Sequence, residues 1–397
     1  MLGALGFLLG LVSLVAFALA VFLLAEVVGC FAAREAPPPP ARSRGRIAVV
    51  IPAHNERDIV AATVAAVRAE LRDIDRILVV ADNCTDDTAA LARPAGADAI
   101  ERQDAAHCGK GYALQFGVDH LKADPPETVV FIDADCRPEP GAIARIADRA
   151  AYMRRPVQAL YLMHAPPGSS AKTAVSAFAW LFMNRVRMSG LQQIAGVTRL
   201  TGSGMAFPWS LIAKADLASG EIVEDLALTI RFVEAGAPPC LDLGAVVVSE
   251  LAKSDAGATT QRARWEHGSL RMALGKAPGL LLRGLGGDLK ALALAFDIAI
   301  PPLTVFGAAL GALLVFSGLV ALLGAAEFSA FAAWAAIASA AAVILGWAGC
   351  GREALPPGRL RAIGGYILGK ARVYGREGRR SARKWRRTER GDEGSGE

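Results

Sequence analysis

The sequence predicts an α/β domain built on a mostly parallel sheet and attached to segments apolar enough to cross a bilayer. Three observations carry the prediction. Short apolar runs alternate with helical patterns from residue 47 to residue 135, the pattern of a parallel sheet covered by helices on both faces. Residues 2–25 form an uncharged apolar stretch, and two more long apolar runs occupy 298–325 and 328–349. Such lengths suit a hydrocarbon core about 30 Å thick. Finally, two aspartates one residue apart, Asp133 and Asp135, close the last apolar run of the α/β stretch. Open parallel sheets bind ligands at that end of their strands.

The 397-residue chain is 53% hydrophobic, with a mean hydropathy of +0.35, high for a soluble protein. The first apolar segment lacks a basic start, and its basic residues, Arg34, Arg42, Arg44 and Arg46, follow it. That arrangement argues for a membrane helix over a cleaved leader. Pro301 and Pro302 blur the start of the second segment, and the third is rich in alanine. Arg352, Arg359 and Arg361 follow the third segment, whereas the connection at 325–327 has no Lys or Arg. The positive-inside rule then predicts a multi-pass protein of the cell (inner) membrane, with 34–297 and the C-terminus cytoplasmic. The expected division is a membrane helix at 1–33, a Pro-rich basic linker at 34–46 and an α/β domain at 47–268. Interfacial amphipathic helices at 269–297, a membrane helix pair at 298–350 and a basic tail at 351–397 follow.

The tail holds 13 Lys and Arg against 6 Asp and Glu, so it carries +7 and the rest of the chain −2. A basic stretch beside a membrane segment attracts anionic lipid; a solvated tail is the plainer alternative. No nucleic-acid partner is expected of a tail already placed at a membrane. The six cysteines show no CxxC or zinc spacing and read as reduced, small apolar fillers.

Within the α/β stretch the elements follow in order. Strands are expected at 47–53, 76–83, 97–104 and 127–135, and helices at 56–71, 86–96 and 109–123. In extended chain a D-x-D spacing points Asp133 and Asp135 to the same side. Adjacent carboxylates repel, and a hard divalent cation such as Mg²⁺ or Mn²⁺ relieves that repulsion. A turn is the bland alternative, because Asp favours turns and Pro138 and Pro140 follow. The first strand ends in Pro52, Ala53, His54, Asn55 and Glu56, and the second carries Asp82 and Asn83 at its tip. These tips offer donors and acceptors to a base and a ribose. Lys110 lies between two glycines at a helix start, where a cation and free N–H groups meet phosphates. Singly, each has a plainer reading: Asn83 as a helix cap, Lys110 as a solvated surface charge.

Four elements in fixed order, IPAHNE, ADNCTDDT, FIDADC and IVEDLALTIRFVEAG, precede QRARW at 261–265. Together they resemble the membrane-embedded family 2 glycosyltransferases, the inverting GT-A enzymes that include cellulose, chitin and hyaluronan synthases. The resemblance covers about residues 45–285, roughly 60% of the chain. It implies a Rossmann-like mixed sheet and a metal-dependent transfer of a hexosyl or N-acetylhexosaminyl group from a UDP-sugar. A lipid, a lipid-linked saccharide or a polysaccharide is the implied acceptor. Pro52, Ala53, His54, Glu56 and Asp82 then hold the nucleotide, Lys110 faces the diphosphate, and Asp133 and Asp135 take the ribose or sugar and the metal. Asp225 is the implied general base, with Glu224 as its substitute. Gln261, Arg264 and Trp265 form the Q-x-x-R-W element, and Gly202, Ser203, Gly204 and Trp265 face the acceptor.

Two departures from the family stand out. Ala53 and His54 replace the aromatic or Thr residue common at the first tip, and Ser203 replaces Thr in the acceptor loop. Three spans are also few for a translocation channel, so processive secretion implies a homo-oligomer or a membrane partner. A haloacid-dehalogenase-type phosphatase also uses D-x-D, but it needs Thr or Val where this chain has Arg137. The other alternative is a non-catalytic glycosyltransferase-like subunit that scaffolds a polysaccharide synthesis and export complex.

Overall fold

An apolar run without proline has nothing to stop a helix, and the first segment forms a single one, α1 (Leu2–Ala32). The computed structural model describes residues 2–40, 45–218, 221, 223–251, 255–323 and 329–374; of these, the side chains of 2–5, 255–264, 329, 368 and 370–374 are not described. The β-branched runs build β1 (Ile47–Ala53) and β2 (Arg76–Asp82), both buried over nearly their whole length and paired in parallel with Ile51 beside Val79. Between them, α2 (Val60–Arg68) begins later than the helical pattern at residue 56. The preceding residues are committed to a turn: Asn55 has φ 55° and the Glu56 amide donates to Thr88 Oγ1 (2.9 Å).

Helix α3 (Thr88–Ala92) is correspondingly short, and β3 (Asp98–Arg102) is a half-exposed edge strand parallel to β2. Helix α4 (Lys110–Leu121) then returns the chain to β4 (Thr128–Phe131). The strand predicted to reach residue 135 ends at Phe131, and Asp133 and Asp135 lie on a turn closed by the Cys136 amide and the Asp133 carbonyl (3.0 Å). The turn-forming tendency of Asp overrides the strand pattern, so strand alternation is not what places the two carboxylates together.

The second half adds β5 (Arg137–Pro138), α5 (Ala142–Met153), β6 (Val157–His164), α6 (Ala171–Leu181), α7 (Met188–Ala195), β7 (Met205–Pro208), α8 (Trp209–Ile212), α9 (Glu224–Glu234) and β8 (Cys240–Glu250). The eight strands form one sheet in the order β3-β2-β1-β4-β7-β6-β8-β5. Pairing is parallel from β3 through β4 and between β6 and β8, and antiparallel where β7 joins β4 and β6. The mixed, mostly parallel sheet expected of the GT-A class is therefore present. Val50, Leu78, Val80, Leu114, Phe131, Phe207 and Phe232 fill one of its packing layers. Each such buried side chain contributes about 1.5–3 kcal/mol.

The remaining helices are α10 (Asp255–Leu285), α11 (Leu289–Ala299), α12 (Leu303–Leu322), α13 (Ser329–Gly346) and α14 (Ala362–Tyr374). Helix α10 runs unbroken through Pro278, and residue 268, where the α/β domain was expected to stop, lies inside it. The chain divides into two compact units. One gathers Arg34–Thr173 and Val197–Gly268 around the sheet. The other gathers Met1–Ala33, Ala174–Gly196 and Ser269–Gly369. The sequence did not reveal that Ala174–Gly196, from the middle of the chain, packs with the apolar helices.

Three segments of that second unit, Gly6–Ala32, Leu303–Leu322 and Ala330–Gly351, are long and apolar enough to cross a membrane. Its core joins Leu23 and Val27 of α1 to Phe178, Phe182, Phe306 and Leu310. Helices α1 and α7 come so close that a Cβ on Gly190 would sit 1.8 Å from the Glu26 carbonyl oxygen. Glycine is required there for backbone approach. Beside this contact Arg187 is buried with two carboxylates: Nε donates to Glu26 Oε2 (2.7 Å) and Nη2 to Asp297 Oδ1 (2.8 Å). Removing the cation leaves two buried carboxylates without it, which costs about 3–5 kcal/mol. Arg187→Met should therefore lower the unfolding midpoint of the detergent-solubilised protein sharply. A midpoint within a degree or so of wild type would show that the triad is dispensable.

Candidate active site

Four segments deliver side chains to one place, and strand register explains why. Phe131, the last residue of β4, pairs with Met205, the first of β7. The turn carrying Asp133 and Asp135 therefore lies beside the loop Thr201–Gly204 that leads into β7. The Asp133 amide donates to Ser203 Oγ (3.1 Å), and the Gly204 amide donates to the Phe131 carbonyl (2.9 Å). Lys110, the first residue of α4, reaches the same point. Its Nζ donates to the Gly202 carbonyl (2.8 Å) and forms an ion pair with Asp133. Gly202 has φ 89°, and a Cβ there would lie 3.2 Å from Lys110 Nζ, 3.6 Å from Asp225 Oδ2 and 3.9 Å from Asp133 Oδ2. Three charged groups converge on space that any side chain would fill.

Glu224 and Asp225 open α9, where the helix dipole favours carboxylates. Asp225 Oδ1 accepts from the Leu226 amide (2.7 Å). Burial raises the Asp225 pKa above its ordinary value, and the Lys110 and Arg199 charges oppose that rise. Burial first, and the Asp225 carboxylate next, push Glu224 up to about 7. Burial opposes the charge on Lys110, but Asp133, Glu224 and Asp225 overcome it and raise its pKa.

One ligand atom from each of Asp133, Asp135 and Cys136 lies within 4.8 Å of the other two. The carboxylate pair fits a hard divalent cation. Cys136 is not part of that fit, because a hard cation prefers oxygen ligands to sulfur; burial, then the two aspartates, push its thiol well above the ordinary range.

The two strand tips form a second cluster. Cys84 Sγ accepts from the Asn55 amide (3.3 Å) and Asn55 Oδ1 from the Thr85 amide (2.8 Å), which ties the end of β1 to the end of β2. His54 Nδ1 lies 2.7 Å from the Asp82 carbonyl. A carbonyl only accepts, so this nitrogen carries the proton. The buried Asp82 carboxylate accepts from Arg102 Nη1 (2.6 Å), and Arg102 lies over the Tyr112 ring at 5.5 Å. Sequence reasoning missed Arg102. Its one signal is register, since Arg102 is the residue beside Asp82 in the β2–β3 pair, and that register is invisible without the sheet. It also missed Arg199, two residues before the loop that faces Asp225.

The structure thus brings together Lys110, Asp133, Asp135, Gly202, Ser203, Glu224 and Asp225, and sets Pro52, Ala53, His54, Glu56 and Asp82 at the neighbouring strand tips. Trp265 is a partly buried residue of α10. The side chains of Gln261 and Arg264 lie outside the described residues.

Residues 44–268, more than half of the chain, match the family described as Glycosyltransferase like family 2. Curated relatives include uncharacterized glycosyltransferases of Mycobacterium tuberculosis and Mycobacterium bovis. Each is 30% identical over 196 residues, an alignment spanning 45% of this chain and 82% of the relative. Among solved structures, a mannosyltransferase of Pyrobaculum calidifontis in complex with GDP-Man and Mn²⁺ is 18% identical with a TM-score of 0.49, over 87% of this chain and 99% of that one. Glucosyl-3-phosphoglycerate synthase of Mycobacterium tuberculosis, with Mn²⁺ and UDP, is 22% identical with a TM-score of 0.35, over 52% of this chain and 71% of that one.

The raised Glu224 value gives a signed prediction. Folding takes up a proton at this site, so the stabilisation is full below the ordinary value of 4.5 and is lost as pH rises through about 7. Glu224→Gln should flatten the stability curve across that window, as measured by thermal unfolding from pH 4.5 to 8. An unchanged slope would place the titration elsewhere.

Proposed function

Because the chain belongs to glycosyltransferase family 2, we propose that it transfers a sugar from a UDP-sugar to a lipid, lipid-linked or polysaccharide acceptor at a membrane surface. The observation that carries this reading is the convergence of Lys110, Asp133 and Asp225 on the space above Gly202. A donor diphosphate with its metal calls for Lys110 and Asp133 near the reacting atoms, and an acceptor hydroxyl calls for a base such as Asp225 within reach.

Asp133 and Asp135 would hold a divalent cation, which supplies charge neutralisation at the donor diphosphate. Lys110 places a second positive charge at Asp133, on the side where the leaving group gathers charge. Asp225 takes the proton from the acceptor hydroxyl. Its raised pKa makes it a stronger base than an exposed aspartate, and an acceptor attacking opposite the diphosphate gives inversion. Glu224, titrating near neutrality, is the alternative base. Asp82 and the Pro52–Glu56 tip flank the space for the base and ribose. Gly202, Ser203 and Gly204, with Trp265, form the acceptor side, and Gln261 and Arg264 accompany the diphosphate.

The membrane part of the proposal has its own support. The outward residues of the three apolar segments include Phe7, Leu11, Val315, Phe316, Trp334 and Ile337, which suit lipid rather than water. In α10 and α11, Leu281, Leu282, Leu285 and Leu289 are exposed among Arg283 and Lys290, the composition of an interfacial element. We place the α/β unit on the cytoplasmic side by the Arg residues that flank the segments. A lipid-linked acceptor follows from that placement, and a second copy or a membrane partner completes any export path.

Two substitutions test the roles. Asp135→Ala should reduce UDP release from a UDP-sugar by about 100-fold or more, the scale of losing a charge-stabilising group. Asp225→Asn should leave UDP binding intact and remove transfer. Wild-type turnover in either variant contradicts the assignment of that residue.

A further inference from the structure

Two fully buried polar residues to which the sequence motifs assign no role bond directly to the site. Gln158, on β6, is 0% exposed, and so is Thr229, on α9. Gln158 Oε1 accepts from the Thr201 amide (2.9 Å), and its Nε2 donates to the Ser203 carbonyl (2.8 Å) and to the Ala159 carbonyl (2.8 Å). Ser203 Oγ in turn accepts from the Asp133 amide (3.1 Å). On the other side, Thr229 Oγ1 accepts from the Leu200 amide (2.9 Å) and donates to the Asp225 carbonyl (2.9 Å).

These bonds form one frame. From the Asp133 backbone it runs through Ser203, Gln158 and the loop Leu200–Gly204 to Thr229 and the Asp225 backbone. Its two ends are the metal-side aspartate and the base. The sheet supplies the rigid part, since Gln158 is paired with Met205 in the β6–β7 register. Buried amides without partners are costly, so moving the loop from either end leaves the Thr201 or the Leu200 amide without the bond it makes here. Thr229 is also one helical turn after Asp225, where a Thr hydroxyl naturally bonds the carbonyl four residues back.

We infer that Gln158 and Thr229 are positioning residues that fix the spacing between the donor-holding Asp133 and the general base Asp225. This rests on the reading of Asp225 as the base. Neither residue takes a proton in the reaction; each acts through the loop it holds. Thr229 sets the base and Gln158 sets the donor side, so their loss is felt differently. Misplacing the base slows transfer without weakening the nucleotide, whereas loosening the donor side affects both.

The test uses the full-length protein in detergent with Mn²⁺, the UDP-sugar it turns over fastest in a panel, and UDP as the binding probe. Thr229→Val keeps the side-chain volume and removes the hydroxyl. It should lower kcat by about 10- to 100-fold, the usual cost of disturbing a supporting contact, with the UDP affinity unchanged. Thr229→Ser restores the hydroxyl and should recover most of kcat, a rescue that a purely packing role does not give. Gln158→Met should lower kcat and weaken UDP binding together. Wild-type kcat in Thr229→Val overturns the inference, as does a Thr229→Ser variant no better than Thr229→Val. Should Asp225→Asn also keep its activity, the base assignment itself has failed. A wild-type protein that releases no UDP from any donor removes the premise and the inference with it.

Discussion

Three carboxylates, Asp133, Glu224 and Asp225, surround one ammonium group in this site, and the site's structure depends on that pairing. Without Lys110, burial would raise Glu224 and Asp225 further, and the proposed base role of Asp225 needs its carboxylate unprotonated. With it, Asp133 has an ion-pair partner, and the Lys110 charge counteracts part of the rise in both Glu224 and Asp225. Placement of the lysine is therefore as important as its charge. It stands on the first residue of α4, and its second bond, to the Gly202 carbonyl, commits it to the loop proposed to face the acceptor.

The apolar unit solves the same problem in another way. A buried guanidinium there bridges Glu26 and Asp297, which come from two distant parts of the chain. Such groups rarely add net stability over an apolar replacement, but they tolerate few wrong arrangements. Arg187 belongs to the segment Ala174–Gly196, which packs with the apolar helices. Arg187 is buried, and its two partners are supplied by α1 and α11.

Much of the sheet was legible in the sequence because fully buried parallel strands are written as uninterrupted apolar runs. β1 was expected at 47–53 and is found there; β2 differs by one residue at its end. The edge strand β3 and the short helices were harder to bound, since half-exposed elements carry weak patterns. The strand with the aspartates was overextended because FIDAD reads as alternating chain, whereas Asp favours turns and this one also bonds a loop seventy residues later. Motif residues were visible through resemblance. Arg102 and Gln158 were not, and Thr229 stood in the last motif with no role marked, because strand register and buried hydrogen bonds place them and composition does not.

Those carboxylates, Lys110 and the fold that gathers them lead to one central claim: the pocket holds a nucleotide diphosphate through a divalent cation. The most direct test is calorimetric titration of UDP into the full-length wild-type protein in detergent, with and without Mn²⁺. The account predicts saturable binding in the presence of Mn²⁺ and a loss of at least about tenfold in affinity, roughly 1.4 kcal/mol, after chelation. Equal affinity with and without the metal, or no UDP binding in either condition, would contradict it.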